Sequence, residues 1–389
     1  MIERPTSPGR RLMAFAVDLR RHFHMNPELG LEETETQREV RRVLRGLGIR
    51  NRPCGGTGVL GRLRGTKPGP TLLLRADMDA LPVTEANDVP YASKVPGRMH
   101  ACGHDGHMAV LLATARHFRE VGLPRGTLLF CFQPGEEGFR GAEKMIGDGV
   151  LDDPRPDAVF ALHLWRELRV GTIGVLDGPC MAAVDLFTIT IRGKGGHAAY
   201  PHLSTDPVLA AAHVVTALQS VVSREVDPLD TAVVTVGAIN GGTAPNVIPG
   251  EVVLRGTCRT FLQRTRRLVR RRVTSLARNV AAGFGARAEV EYEEHLPATV
   301  NTPGIADIAR KAADDAVGGR NVVTAAPSMG GEDFSLFLGK VPGCYAFVGL
   351  RNDRRGIVYP HHHPRFDLDE DSLATAVDFT VSFARRFLS

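Results

Sequence analysis

Two kinds of apolar pattern divide this chain. In the first, Thr71–Ala76 (TLLLRA), Thr127–Phe132 (TLLFCF) and Asp157–Leu162 (DAVFAL) are short, nearly continuous apolar runs. Such runs belong to strands buried on both faces of a sheet. Between them, Gly106–Phe118 repeats its apolar residues at helical spacing, and Ala142–Ile146 starts a short helix. Residues 10–49 read as helices around a Pro-Glu-Leu-Gly turn at Pro27–Gly30. Strands alternating with helices predict an α/β fold with a mixed, largely parallel sheet.

From about Ala183 the pattern changes. Val184–Ile191 (VDLFTITI) alternates as a half-exposed strand does, and Asp206–Val222 reads as a helix. Ala232–Ile239 and Val252–Thr260 read as strands, Gln263–Ala282 as a helix and Ala288–Glu294 as a last strand. The order β-α-β-β-α-β is that of a ferredoxin-like α+β domain. It is inserted, because α/β signals resume after Pro297 with helix Pro303–Val317, strand Gly343–Val348 and a helix near Asp371–Phe387. The expected division is therefore 1–183 with 297–389 as one domain, and 184–296 as the insertion.

Composition narrows the class. At 43% hydrophobic residues the chain can build packed cores, and no apolar stretch approaches the ~18 residues of a membrane span. The N-terminal apolar run is short and broken by Asp18, without a signal-peptide core, so a cytoplasmic location is expected. Six scattered cysteines without a CxxC pair read as reduced thiols. The formal charge of +5 raises nucleic acid as a partner, with Arg264–Arg272 (RTRRLVRRR) as the densest basic run. Leu268, Val269, Val273, Leu276 and Val280 recur near a helical period through it, which makes it the solvated face of an amphipathic helix. No nucleic-acid motif accompanies it.

Candidate chemistry gathers at strand ends. Met99–His107 (MHACGHDGH) precedes a helix, Gln133–Gly138 (QPGEEG) follows a strand, and His163 is placed directly after the strand Asp157–Leu162. His361–Pro364 (HHHP) follows the Gly343–Val348 strand. Open α/β sheets build their sites outside the carboxyl ends of their strands. Imidazole, thiolate and carboxylate together suit Zn, Mn, Co or Ni. The inventory suffices for two divalent ions sharing a bridge. In the pair Glu136-Glu137 one carboxylate can bind metal while the other stays free as a general base. Taken singly, each feature has a plain structural reading: a buried thiol, a core histidine, a solvated loop.

At these residues the sequence resembles the hippurate hydrolase and N-acyl-amino-acid amidohydrolase family, a branch of the aminoacylase and carboxypeptidase metallohydrolases that includes plant auxin-conjugate hydrolases. The likeness runs through Leu19–Thr36, LLLRADMDALPVTE (Leu72–Glu85), MHACGHDGHMA, FQPGEEG, GKGGHAAYPH (Gly193–His202), APNVIPG (Ala244–Gly250), GTCRTF (Gly256–Phe261), MGGEDFS (Met329–Ser335) and HHPRFDLDED (His362–Asp371). It implies a zinc-peptidase-like catalytic domain whose inserted domain serves as lid and dimerisation module. It also implies a two-ion site with Cys102, His104, Glu137, His163 and His362 as ligands, Cys102 bridging as a thiolate. The family's His-x-Pro pattern selects His362 over His361 and His363. Glu136 would be the general acid and base, and Asp79 would orient a ligating histidine. His197, Asn246 and Arg259 match positions that reach the substrate: His197 to polarise the scissile carbonyl, Asn246 to donate to the same oxygen or the amino-acid part, Arg259 to pair with a carboxylate. With six lysines among 48 basic residues, the chain departs from the family only in favouring arginine.

The implied reaction cleaves an N-acyl amino acid into a carboxylic acid and an amino acid, by a homodimer or larger homo-oligomer. Two other readings stand beside it: a carboxypeptidase or dipeptidase with the same centre, and a non-catalytic ligand-binding relative. The acyl group, the amino-acid preference and the metal stay open.

Overall fold

The computed structural model describes residues 9–138 and 140–389. In chain order the main elements are α1 (Arg10–Met25), α2 (Thr34–Gly46), β1 (Arg50–Cys54), β2 (Gly58–Arg64), β3 (Lys67–Asp77), α3 (His104–Val121), β4 (Arg125–Gln133), α4 (Gly141–Gly147) and β5 (Ala158–Arg169). Then follow β6 (Ala183–Arg192), α5 (Pro207–Ser220), β7 (Ala232–Asn240), β8 (Glu251–Thr260), α6 (Gln263–Gly283), β9 (Arg287–Leu296), α7 (Pro303–Val317), β10 (Gly343–Arg351) and α8 (Asp371–Leu388). They form two compact units. One runs to Gly178 and resumes in Val300–Ala326 and Asp333–Ser389; the other holds Pro179–Thr299 and Pro327–Glu332.

The first unit is built on an eight-stranded mixed sheet. Its order is β1-β2-β4-β3-β5-β10, extended by the two-residue strands Ile173–Gly174 and Val322–Val323. The central strands β4, β3, β5 and β10 are parallel, while β1 and β2 join antiparallel at one edge. Leu72, Leu74, Leu128 and Phe130 are buried, as central strands covered on both sides require. Phe160 of β5 stacks on Phe383 of α8 with centroids 4.0 Å apart. Helix α3 packs against α1 and α8 and is buried along most of its length. Helix α2 starts where the Glu28 carboxylate accepts the N–H groups of Glu35 and Thr36, at 3.1 and 2.8 Å. A negative charge at that end complements the helix dipole.

One expected boundary is corrected. Strand β5 does not stop at Leu162 but continues to Arg169, so His163 lies within the strand rather than directly after it. The parallel neighbour causes this, since β10 pairs alongside through Phe347↔His163 and Gly349↔Trp165.

The second unit carries a four-stranded antiparallel sheet in the order β7-β8-β6-β9. Phe187, Ile189 and Ile191 of β6 share a core with Val214 and Leu218 of α5 and with Val269 and Val273 of α6. Asp206 caps α5 by accepting the N–H groups of Val208 and Leu209, with Pro207 in the first turn. The α5 helix ends at Ser220, and its last expected turn widens into a π-type turn over Val221–Glu225. The basic run lies on α6, where Arg266 is buried against Asp185 at 2.5 Å. Arg264, Arg270 and Arg272 pair with Asp230, Glu294 and Glu225. No helix among the described residues is long and apolar enough to cross a membrane.

Candidate metal centre

The parallel strands of the first unit end at one place, and each delivers a polar loop there. Asp77 closes β3 and Asp79 follows it. The α3 helix begins at His104, and its N-cap Gly103, the residue after Cys102, adopts a left-handed φ of 88° that a glycine takes without strain. Glu136 and Glu137 follow β4, and His163 projects from β5. His362 sits in the loop after β10 with φ 65°, its N–H donating to Ala101 O at 2.8 Å.

Two ligand triads share one atom. Cys102, His104 and His163 offer donor atoms that all lie within 4.8 Å of one another, and so do Cys102, Glu137 and His362. The Cys102 sulfur belongs to both, as a bridging thiolate would. Glu136 joins His104 and Glu137 in a third such group. The structure therefore brings together Cys102, His104, Glu136, Glu137, His163 and His362. Of the three adjacent histidines, His361 Nε2 contacts Leu164 O at 3.0 Å, and His363 stacks on Tyr359 while its Nδ1 accepts the Arg365 N–H. Neither belongs to a ligand group among the described residues.

The electrostatics suit cations. Burial, then Glu137, Glu136 and Asp77, push the Cys102 thiol well above its usual range. A thiolate there needs positive charge close by. Burial, His107 and His361 hold His163 well below the usual imidazole range, which keeps it neutral as a ligand must be. For His104 burial acts downward, but Asp77, Asp79 and Glu137 outweigh it and raise the ring to about 10. Glu137 Oε1 is buried without a hydrogen-bond donor. His362 Nε2 lies 3.1 Å from it, off the hydrogen-bond direction. Thiol, imidazoles and carboxylates converging in this way fit a pair of divalent ions of the borderline class.

Asp79 holds the frame. Its Oδ1 accepts the Glu136 N–H at 3.0 Å and its Oδ2 the Glu137 N–H at 2.9 Å. Its backbone oxygen lies 2.8 Å from His104 Nδ1, so the ring is steered mainly by the main chain, with Oδ1 further off at 3.4 Å. A ring that gives its Nδ1 proton to a carbonyl presents the Nε2 lone pair to the site. Both Asp79 oxygens are thus engaged by the main chain of the Glu136-Glu137 loop. Glu33, not singled out from the sequence, also anchors this loop: its Oε1 accepts the Gly135 N–H at 2.8 Å and its Oε2 the Thr57 hydroxyl. An acid within GLEETET carries no local signal of that role.

In the second unit, His197 pairs with Val247 in a short antiparallel bridge, and the Ala198 N–H donates to Asn246 O at 3.1 Å. His197 and Asn246 are thus neighbours, and both are exposed. His197 Nδ1 accepts the Ala199 N–H at 3.1 Å, which leaves the proton on Nε2 as a donor. Arg259 is half-buried on β8 and donates to Thr257 Oγ1 and, at 3.2 Å, to Cys258 O.

A parallel-centred sheet with this donor set at its strand ends defines a metallohydrolase site. The family model described as Peptidase family M20/M25/M40 matches residues 73–386, and the chain belongs to that family. It is a hydrolase of the metallopeptidase and amidohydrolase type. It is 43% identical over 374 residues to N-acetyl-L-cysteine deacetylase of Bacillus subtilis, covering 96% of this chain and 88% of the relative. It is 40% identical over 378 residues to IAA-amino acid hydrolase ILR1-like 4 of Arabidopsis thaliana, covering 96% and 85%. The crystal structure of the Bacillus subtilis YXEP protein, a dinuclear metal binding peptidase from the M20 family, superposes with a TM-score of 0.86 at 37% identity, covering 97% of this chain and 99% of that one.

Proposed function

We propose that the protein hydrolyses the amide bond of small N-acyl amino acids or related conjugates, with Cys102, His104, Glu137, His163 and His362 holding two divalent ions. The observation that carries the reading is the Cys102 sulfur common to two ligand triads. Bound ions of this class polarise the scissile carbonyl and make water acidic enough to react at neutral pH. Glu136, beside His104 and Glu137 and held through its N–H by Asp79, takes the proton of the attacking water and returns it to the departing nitrogen. The family resemblance adds His197, Asn246 and Arg259 as substrate contacts. Mn, Zn, Co and Ni all suit the donors.

The deciding experiment strips the protein with chelator and reloads it separately with Mn, Zn, Co and Ni. Release of free amine is followed from N-benzoylglycine, N-acetylmethionine and a free-amino dipeptide. Metal-dependent release from the acylated substrates is expected, and Glu136→Gln should bind the same metal yet turn over at least about 100-fold more slowly. Release from the dipeptide alone would favour a carboxypeptidase or dipeptidase instead. We extend the proposal to a homodimer formed through the second unit, supported by exposed Val208, Leu209, Ile239 and Val247. Sedimentation velocity tests it. A cytoplasmic location is supported by six cysteines that are all free thiols.

A further inference from the structure

Behind the ligands, hydrogen bonds converge on the main chain of Leu164. The Leu164 N–H donates to His107 Nε2 at 2.9 Å. A backbone amide can only donate, so His107 Nε2 carries no proton and Nδ1 does. That Nδ1–H meets Asp77 Oδ1 at 2.6 Å, and Asp77 Oδ2 receives Arg75 Nη1 at 2.5 Å. Arg75 also donates to Gln133 Oε1 at 2.9 Å and to Asp333 Oδ1 at 3.2 Å. All five side chains are buried. The next peptide belongs to the ligand: Leu164 O lies 2.8 Å from His163 Nδ1 and 3.0 Å from His361 Nε2. A carbonyl only accepts, so His163 keeps its proton on Nδ1 and presents Nε2, which lies 3.5 Å from Cys102 Sγ.

The sheet explains why a side chain is needed here. Strand β3 pairs with β5 only as far as Arg75↔Ala161. Beyond that point the His107 ring takes the Leu164 N–H, and so fixes the peptide that joins His163 to Leu164. With both ring nitrogens engaged, His107 has no lone pair left for a cation, although Asp77, His104 and His107 together resemble a ligand group.

We propose that His107 is a positioning residue for His163, acting through the main chain of Leu164, with Asp77 and Arg75 fixing its tautomer. This rests on the reading of Cys102, His104 and His163 as one cation's triad. The test titrates chelator-stripped wild type, His107→Leu and His107→Gln with Co(II), following thiolate-to-cobalt absorption and bound stoichiometry. Wild type should take up two ions. In His107→Leu one ion should bind as in wild type and the other about 10- to 100-fold more weakly, the usual cost of losing a ligand's support. His107→Gln, whose amide oxygen can accept the Leu164 N–H, should recover most of that loss. Two ions bound to His107→Leu with wild-type affinities, or both weakened equally with no recovery in His107→Gln, would overturn the proposal. Fewer than two ions on wild type would instead sink the two-ion reading. Ring ¹⁵N shifts of metal-free wild type give a check without any variant: His107 must be protonated on Nδ1, and the opposite tautomer refutes the role.

Discussion

Replacing Asp79 by asparagine changes almost no volume and isolates one charge-bearing contact. The native carboxylate receives two backbone N–H groups, from Glu136 at 3.0 Å and Glu137 at 2.9 Å. Asparagine offers one oxygen and one NH₂. Whichever way the amide turns, one of the two N–H groups faces another donor. The loss is one charge-assisted hydrogen bond, about 1.5–3 kcal/mol, with the survivor weakened to a neutral bond. The bond from His104 to the Asp79 backbone oxygen is untouched, so the damage falls on the peptides carrying both glutamates. At 1.4 kcal/mol per tenfold, the displaced Glu137 should cost about 10- to 100-fold in metal affinity. Competition between the protein and a chromophoric chelator for Mn(II) measures that loss. Turnover at saturating Mn(II) then reports Glu136 apart from occupancy, and kcat should still fall. If Asp79→Asn binds both ions with wild-type affinity and keeps its kcat, the assignment of Asp79 as the clamp of this loop is wrong.

Three other substitutions read different parts of the molecule. In Gly141→Ala the new Cβ would lie 1.5 Å from Pro134 O, a backbone atom, so the loop bearing Glu136 and Glu137 must shift; melting temperature and metal affinity should both fall, and an unchanged pair of values would contradict the packing. In Arg266→Met the buried Asp185 keeps only the Tyr292 hydroxyl at 2.9 Å from its former partners. Denaturant unfolding should show a loss of about 3–5 kcal/mol. Burial pushes the half-buried Asp378 carboxyl up to about 7 from 3.8, so the folded protein holds this proton more tightly than the unfolded chain. That stabilisation is complete below the unfolded value and is lost as pH rises through the folded one. Asp378→Asn should therefore stabilise by about 1–2 kcal/mol above pH 8, after allowing for solvent screening, and by nothing at pH 3. A gain of equal size at both pH values would exclude this origin.

The sequence made the buried strands easy to see because nothing polar interrupts Leu72–Leu74 or Leu128–Phe130, and the loops after them carry the site. It hid β1 and β2, where Arg50, Arg52, Arg62 and Arg64 break up the apolar pattern of an exposed edge. It misplaced the end of β5, because the ladder beyond Leu162 depends on β10, nearly two hundred residues later in the chain. Within MHACGHDGH, His104 and His107 are indistinguishable by type. Only the Leu164 N–H on one ring, and its absence from the other, separates a candidate ligand from its support. Arg75 reads as an interruption of an apolar run until its partners Asp77, Gln133 and Asp333, far apart in sequence, are in place.

The edge of the large sheet has a consequence for the protein in crowded solution. Strand β1 (RNRPC) is only five residues long, and Arg50 stands directly across from Arg62. Like charges facing each other weaken a strand pair, and Pro53 removes a donor from the open side. Such an edge is a poor template for a strand from another molecule, whose approach it meets with guanidinium groups. Arg52 is also engaged within the molecule, donating to the carbonyls of Asp148 and Gly149 at 3.3 and 3.4 Å, whereas Arg50 is left to face other molecules. Neutralising Arg50 should leave catalysis intact and show itself as slow aggregation of concentrated stocks.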